Sequence, residues 1–196
     1  SLLSEISKAR RLLETTKRYL AFLAVDVVKS SQMKEGEDEV AIGYSFMAYK
    51  KFVEPIMGKH SMWKQAWTPD GLMAAFHDMD QAVSAGQEIL RRLEEFNQNH
   101  NQLKTPFSIR LGVHGGELYF DPSDKLEEVS DHVIDVAGHL QKEADTNALW
   151  TTLSDIEKLE EKSRFRGIEK KVGGHSVYEW RPTYSRDSSN DLPKGP

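Results

Sequence analysis

The sequence predicts a mixed α+β domain on a ferredoxin-like core, strand–helix–strand–strand–helix–strand, with one helix before it and extra strands and a helix after it. Three observations predict this. A uniformly apolar run, Tyr19 to Val25, is too short for an amphipathic helix and reads as a buried strand. Two stretches with apolar residues near helical spacing, about 40–55 and 78–99, each lead into runs of strand character. Phe107, Ile109, Leu111 and Val113 alternate with Ser108, Arg110 and Gly112, the two-residue period of a strand.

The elements follow in order. Leu2, Ile6, Ala9 and Leu13 share one helical face within residues 1–18. After the first strand, residues 29–39 are polar and charged and read as a loop. The helix at 40–55 carries Ile42, Phe46, Met47, Tyr49 and Val53. Two short strands flank Thr68-Pro69-Asp70-Gly71, whose Pro-Asp-Gly sequence favours chain reversal. The long helix at 78–99 presents Met79, Val83, Gly86, Leu90 and Leu93. The alternating strand is expected to turn at Gly115-Gly116 and pair with Glu117 to Phe120. An acidic loop, 121–131, leads to a helix over 132–145, a strand near Leu149, a helix at 152–161 and a strand pair at 164–168 and 175–180. The chain thus divides into an N-terminal helix (1–18), one domain (19–181) and a tail (182–196) rich in Pro, Ser, Asp and Gly, expected to be disordered.

Composition removes several classes. With Lys+Arg 26 against Asp+Glu 31, the net charge of −5 argues against a nucleic-acid binder held by a basic surface. The longest apolar run falls far short of the roughly 20 residues of a membrane span. The opening residues carry charges throughout and do not read as a secretory leader. With no cysteine there is no disulfide, thiolate nucleophile or cysteine-ligated zinc. A cytoplasmic protein is expected.

The predicted order has a geometric consequence. A helix crosses between the first two strands, so they run parallel and their carboxyl ends share one sheet edge. Asp26 ends the first strand, and Asp70 sits in the turn after the second. Two such carboxylates suit hard divalent cations, which prefer oxygen and leave room for phosphate oxygens. The plainer alternative stays open: Asp fits a Pro-Asp-Gly turn whatever the function, and Asp26 can cap the following segment.

Four local sequences resemble class III nucleotide cyclases. Leu20-Ala-Phe-Leu-Ala-Val-Asp26-Val-Val-Lys-Ser-Ser31 resembles the first metal motif, an apolar strand ending in Asp before a phosphate-binding turn. Pro69-Asp70-Gly71-Leu-Met-Ala-Ala-Phe76 resembles the second, Gly-Asp-Gly before an apolar strand. Ser108-Ile-Arg-Leu-Gly-Val-His-Gly-Gly116 is similar to the fourth core strand, and Val133-Ile-Asp-Val-Ala-Gly-His-Leu-Gln141 sits where the family has its Asn-containing helix ending in Arg.

The resemblance implies the class III cyclase fold and a set of roles. Asp26 and Asp70, with the Val27 carbonyl, would coordinate two Mn²⁺ ions per site, Mg²⁺ being possible. The amides and hydroxyls of Lys29, Ser30 and Ser31 would cradle phosphates, Arg110 would meet the triphosphate, and Lys170 or Lys171 would stand for the terminal phosphate lysine. The pattern also breaks. Ala66 occupies the place of the purine-selecting lysine, Asp135 that of the ribose asparagine, and His139 that of the transition-state arginine. A ring from Tyr49, with Phe46 or Trp67 as neighbours, is expected to shorten the base pocket. These departures resemble the bacterial pyrimidine cyclases of Pycsar anti-phage systems. That likeness implies conversion of UTP or CTP to the 3′,5′-cyclic nucleotide and pyrophosphate in a homodimer, signalling to a separate cyclic-nucleotide-responsive effector. A catalytically silent domain that binds nucleotide or a partner, and a purine cyclase with relocated base contacts, are the alternatives.

Overall fold

The computed structural model describes residues 1–162 and 164–184. Its centre is a seven-stranded sheet in the order β2-β3-β1-β4-β5-β7-β6, formed by β1 (Lys17–Val27), β2 (Lys64–Trp67), β3 (Gly71–Phe76), β4 (Ile109–Tyr119), β5 (Ala148–Thr152), β6 (Arg166–Val172) and β7 (His175–Trp180). The helices are α1 (Leu2–Glu14), α2 (Ser30–Met33), α3 (Glu39–Lys59), α4 (Met79–Asn99), α5 (His132–Glu143) and α6 (Leu153–Ile156). β1, α3, β2, β3, α4 and β4 make the predicted core, and β1 pairs antiparallel with β3 on one side and β4 on the other. β2 and β1 therefore run in the same direction with β3 between them, as the crossover requires.

Both sheet faces are covered. Ala21, Leu23 and Val25 of β1 point to the α3–α4 side, where Tyr49, Val53, Ile89, Leu93 and Phe96 fill the main core. Leu20 and Phe22 point to the other side, against Val133 and Ala137 of α5. Asp38 and Asp78 cap α3 and α4, each accepting a backbone N–H at 3.0 Å.

Several boundaries differ from the sequence reading, each for a local reason. α1 stops at Glu14, and Lys17 and Arg18 belong to β1, paired with Tyr119 and Leu118. The expected loop after β1 contains the single helical turn α2, started by Lys29 at φ 53°. α3 runs through Pro55 to Lys59 because Ile56 and Met57, both buried, hold its last turn on the core. α6 ends early, since Asp155 is drawn inward and the chain then turns to bury Leu159.

The largest correction concerns Gly115-Gly116, which make no turn: β4 is one continuous strand. The glycines serve close packing. A Cβ on Gly112 would lie 2.3 Å from the Gln141 nitrogen and 2.4 Å from the Ala137 carbonyl of α5, and one on Gly116 would lie 2.8 Å from Val133. A Cβ on Gly115 would meet the Tyr19 hydroxyl at 2.2 Å. At the other end, Tyr184 of the expected disordered tail folds back: its hydroxyl donates to Glu179, and Arg166 lies over its ring at 4.0 Å. Residues 185–196 of that tail lie outside the described residues.

Candidate active site

β1 and β3 pair in a register that sets Asp26 opposite Gly71, so Asp70, the residue before, flanks the end of β1. The chain closes this corner with backbone bonds. Val27 N–H donates to the Asp70 carbonyl at 3.0 Å, and Thr68 N–H to the Gly71 carbonyl at 2.9 Å. Glycine at 71 permits the approach, because a Cβ there would lie 2.9 Å from Thr68 Oγ1 and 3.2 Å from the Val25 carbonyl. Topology has thus brought together two carboxylates that are distant in sequence.

Each carboxylate is held by a donor of the same chain. Arg110 sits directly across the β1–β4 ladder from Asp26. Its Nη2 donates to Asp26 Oδ2 at 3.0 Å, while Nη1 donates to the Lys142 carbonyl at the end of α5 at 2.8 Å. Both side chains keep somewhat over a quarter of their surface open to solvent. Ser30 donates its hydroxyl to Asp70 Oδ2. Sequence reasoning missed both pairs; the signal for the first lay in strand alternation, which puts Asp26 and Arg110 on one sheet face once their strands are neighbours.

The donor set fits a hard divalent cation. It offers two carboxylates on adjacent backbone positions of one edge, each with one oxygen engaged by a donor and the other left over. Among the described residues no group of three or more His, Asp or Glu side chains forms a closed metal cage. Such a cation would therefore complete its shell from backbone carbonyl, water or phosphate oxygens. A further unmet donor, the buried Nε of Arg110, stands beside Asp26.

Other expected site residues fall elsewhere. Tyr49 is 2 % exposed, stacked on Phe107 at 5.2 Å and edge-on to Phe96 at 5.8 Å. Burial first, then the charge of Asp26, push its hydroxyl well above the ordinary tyrosine range. Its ring is core and does not enter a base pocket; the helical face carrying Ile42, Phe46 and Val53 also carries position 49 inward. Ala66 is half-buried and packs on the α5 side of the sheet with Trp63 and Met73. Asp135 and His139 lie exposed on α5, away from the face that Val136, Ala137 and Leu140 press on the sheet. Lys170 lies on the outermost strand, its ammonium 5.1 Å over the Trp150 ring. That strand is four places from β1, roughly 19 Å at the usual strand spacing, so Lys170 does not reach Asp26 of its own chain.

No protein-family model matches the chain, and no curated protein matches it by sequence. Solved structures do match. The adenylyl cyclase CyaB from P. aeruginosa shares 16 % identity at a TM-score of 0.74, over 90 % of this chain and 97 % of that one. The guanylyl cyclase Cya2 shares 17 % at 0.70, over 83 % and 91 %. The adenylate/guanylate cyclase/hydrolase from Silicibacter pomeroyi shares 18 % at 0.69, over 85 % and 98 %. The protein has the fold of class III nucleotide cyclase catalytic domains. No helix among the described residues is long and apolar enough to cross a membrane.

Proposed function

We propose that the protein is a metal-dependent nucleotide cyclase that converts a pyrimidine nucleoside triphosphate, UTP or CTP, to its 3′,5′-cyclic nucleotide and pyrophosphate. The observation that carries this reading is the Asp26–Gly71 register, which sets Asp26 and Asp70 at one edge of a class III cyclase fold. Bound there, Mn²⁺ or Mg²⁺ would supply Lewis acidity toward the ribose 3′-hydroxyl and the α-phosphate. Asp26 and Asp70 would hold the cations, with the Val27 carbonyl beside them. Arg110, which holds Asp26 by Oδ2 and leaves Oδ1 for a cation, would offer its remaining N–H groups to phosphate oxygens. Lys29, exposed three residues after Asp26 and directly before Ser30, would add positive charge beside the leaving pyrophosphate.

The preference for a pyrimidine rests on Ala66. A site rejects a base chiefly through unpaired polar groups and clashes, and an alanine offers no donor to a purine ring where the family has lysine. Lys170 lies away from Asp26 within one chain, and Asp135 and His139 are exposed on α5, an arrangement that favours a two-fold homodimer in which a second copy completes the site. The cyclic product would act on a separate effector in anti-phage signalling.

The test is purified protein with Mn²⁺ and each of the four nucleoside triphosphates, with products identified by mass. A cyclic pyrimidine nucleotide, lost in Asp26→Asn and Asp70→Asn, is the expected result. Cyclic AMP or GMP as the main product overturns the base preference, and no turnover with any triphosphate overturns the enzyme reading. The exposed placement of Asp135 and His139, where the family has amide and guanidinium groups, favours a second reading: a silent domain that binds nucleotide without cyclising it. Triphosphate binding without product would select it.

A further inference from the structure

Ser30 follows the left-handed Lys29 and is 8 % exposed, and its hydroxyl donates to Asp70 Oδ2. A serine hydroxyl has one proton to give. Given to Asp70, it is not available to a phosphate oxygen. The backbone of Asp70 is already fixed, through its carbonyl by Val27 and through the neighbouring Gly71 carbonyl by Thr68. The side-chain torsions of Asp70 are not fixed by those bonds, and among the described residues Ser30 is the group that engages its carboxylate. Asp26 repeats the arrangement, with Oδ2 taken by Arg110 and Oδ1 on the side of Gly71, 3.6 Å from where a Cβ would stand.

We propose that Ser30 is a positioning residue for the cation site, holding Asp70 by one oxygen so that the other faces the space beside Asp26, and is not a phosphate contact. The inference rests on the reading of Asp26 and Asp70 as a metal pair. Its physical basis is that a donor to one oxygen of a ligating carboxylate orients the other, and loss of such a partner typically weakens metal binding by about 10–100-fold. A phosphate contact would act differently: its loss would leave the metal affinity of the nucleotide-free protein untouched.

The experiment titrates Mn²⁺ into nucleotide-free protein and follows the electron paramagnetic resonance signal of the free ion. Wild type, Ser30→Ala, Ser30→Thr, Asp26→Asn and Asp70→Asn are compared, with circular dichroism to verify folding. Ser30→Ala should bind Mn²⁺ at least about 10-fold more weakly, while Ser30→Thr, which keeps the hydroxyl, should restore affinity to within about threefold of wild type. Unchanged Mn²⁺ affinity in Ser30→Ala, with weakened triphosphate binding, overturns the positioning role and makes Ser30 a phosphate contact. Wild-type Mn²⁺ binding that is indifferent to both Asp→Asn changes overturns the metal pair itself, and the positioning role with it.

Discussion

Asp155 is the most heavily engaged carboxylate away from the candidate site. It is 1 % exposed and accepts from His114 Nδ1 at 2.8 Å, Gly115 N–H at 3.0 Å and Thr152 Oγ1 at 2.6 Å. Removing one member of such a buried set strands the others, at a cost of about 3–5 kcal/mol. Asp155→Ala should lower unfolding free energy by that amount in urea titration, whereas an exposed change such as Asp135→Ala should stay within about 0.5 kcal/mol. Tyr49 makes a related case. Nothing in the periodicity of α3 distinguishes a ring that lines a pocket from one that fills a core, and the aromatic cluster with Phe96 and Phe107 decides it. Tyr49→Ala should cost about 3–5 kcal/mol in the same titration, and Tyr49→Phe should leave the base preference of any turnover unchanged.

Elements show where the sequence was readable and where it was not. The apolar run of β1, the alternation of β4 and the Pro-Asp-Gly reversal state their structures locally, and from them the meeting of Asp26 and Asp70 could be inferred before any coordinates. The run through Gly115-Gly116 could not be read, because two glycines favour a turn locally while the reason for them, close packing against Tyr19 of β1 and Val133 of α5, lies distant in sequence. That reason is testable. At Gly112 a methyl group would collide with backbone atoms of α5 and no flexible side chain is there to yield. Gly112→Ala should destabilise by about 1–3 kcal/mol, read as a lower melting temperature. Because the last turn of α5 carries the Lys142 carbonyl that holds Arg110, the same variant should also loosen the Arg110–Asp26 pair. α1 predicts the opposite outcome. It buries no residue, and its side chain tie to the body is Glu14 accepting from Tyr119 at 2.8 Å. Deleting residues 1–14 should change unfolding free energy by about 0.5 kcal/mol or less.

Across the whole molecule, the far end of the sheet closes on a single acid. Glu179 is 4 % exposed and takes hydrogen bonds from Trp150 Nε1 at 2.9 Å, Arg181 Nε at 2.8 Å and the Tyr184 hydroxyl. Burial pushes its carboxyl up, but the donors of Arg181, Tyr184 and Trp150 together overcome this and hold it below the ordinary glutamate range. A lowered folded-state value contributes stability above the unfolded value, about pH 4.3, and loses it as the pH falls through the folded one. The stability difference between wild type and Glu179→Gln should therefore be constant near neutrality and shrink below about pH 4 in acid titration. None of this was legible in a tail of Pro, Ser and Asp residues, since Tyr184 joins the fold only because its partners on β6 and β7 are already in place.

The reversal at Thr68–Gly71 acts as a ruler. β3 is pinned by its buried residues and β2 by its half-buried side chains and the core they pack on, so one extra residue inserted in that span should leave sheet, core and melting behaviour nearly as they were. It would nevertheless slide Asp70 along the rim, out of step with Asp26. A population of such lengthened chains would be well folded and chemically mute, an outcome that separates the inheritance of a shape from the inheritance of a reaction.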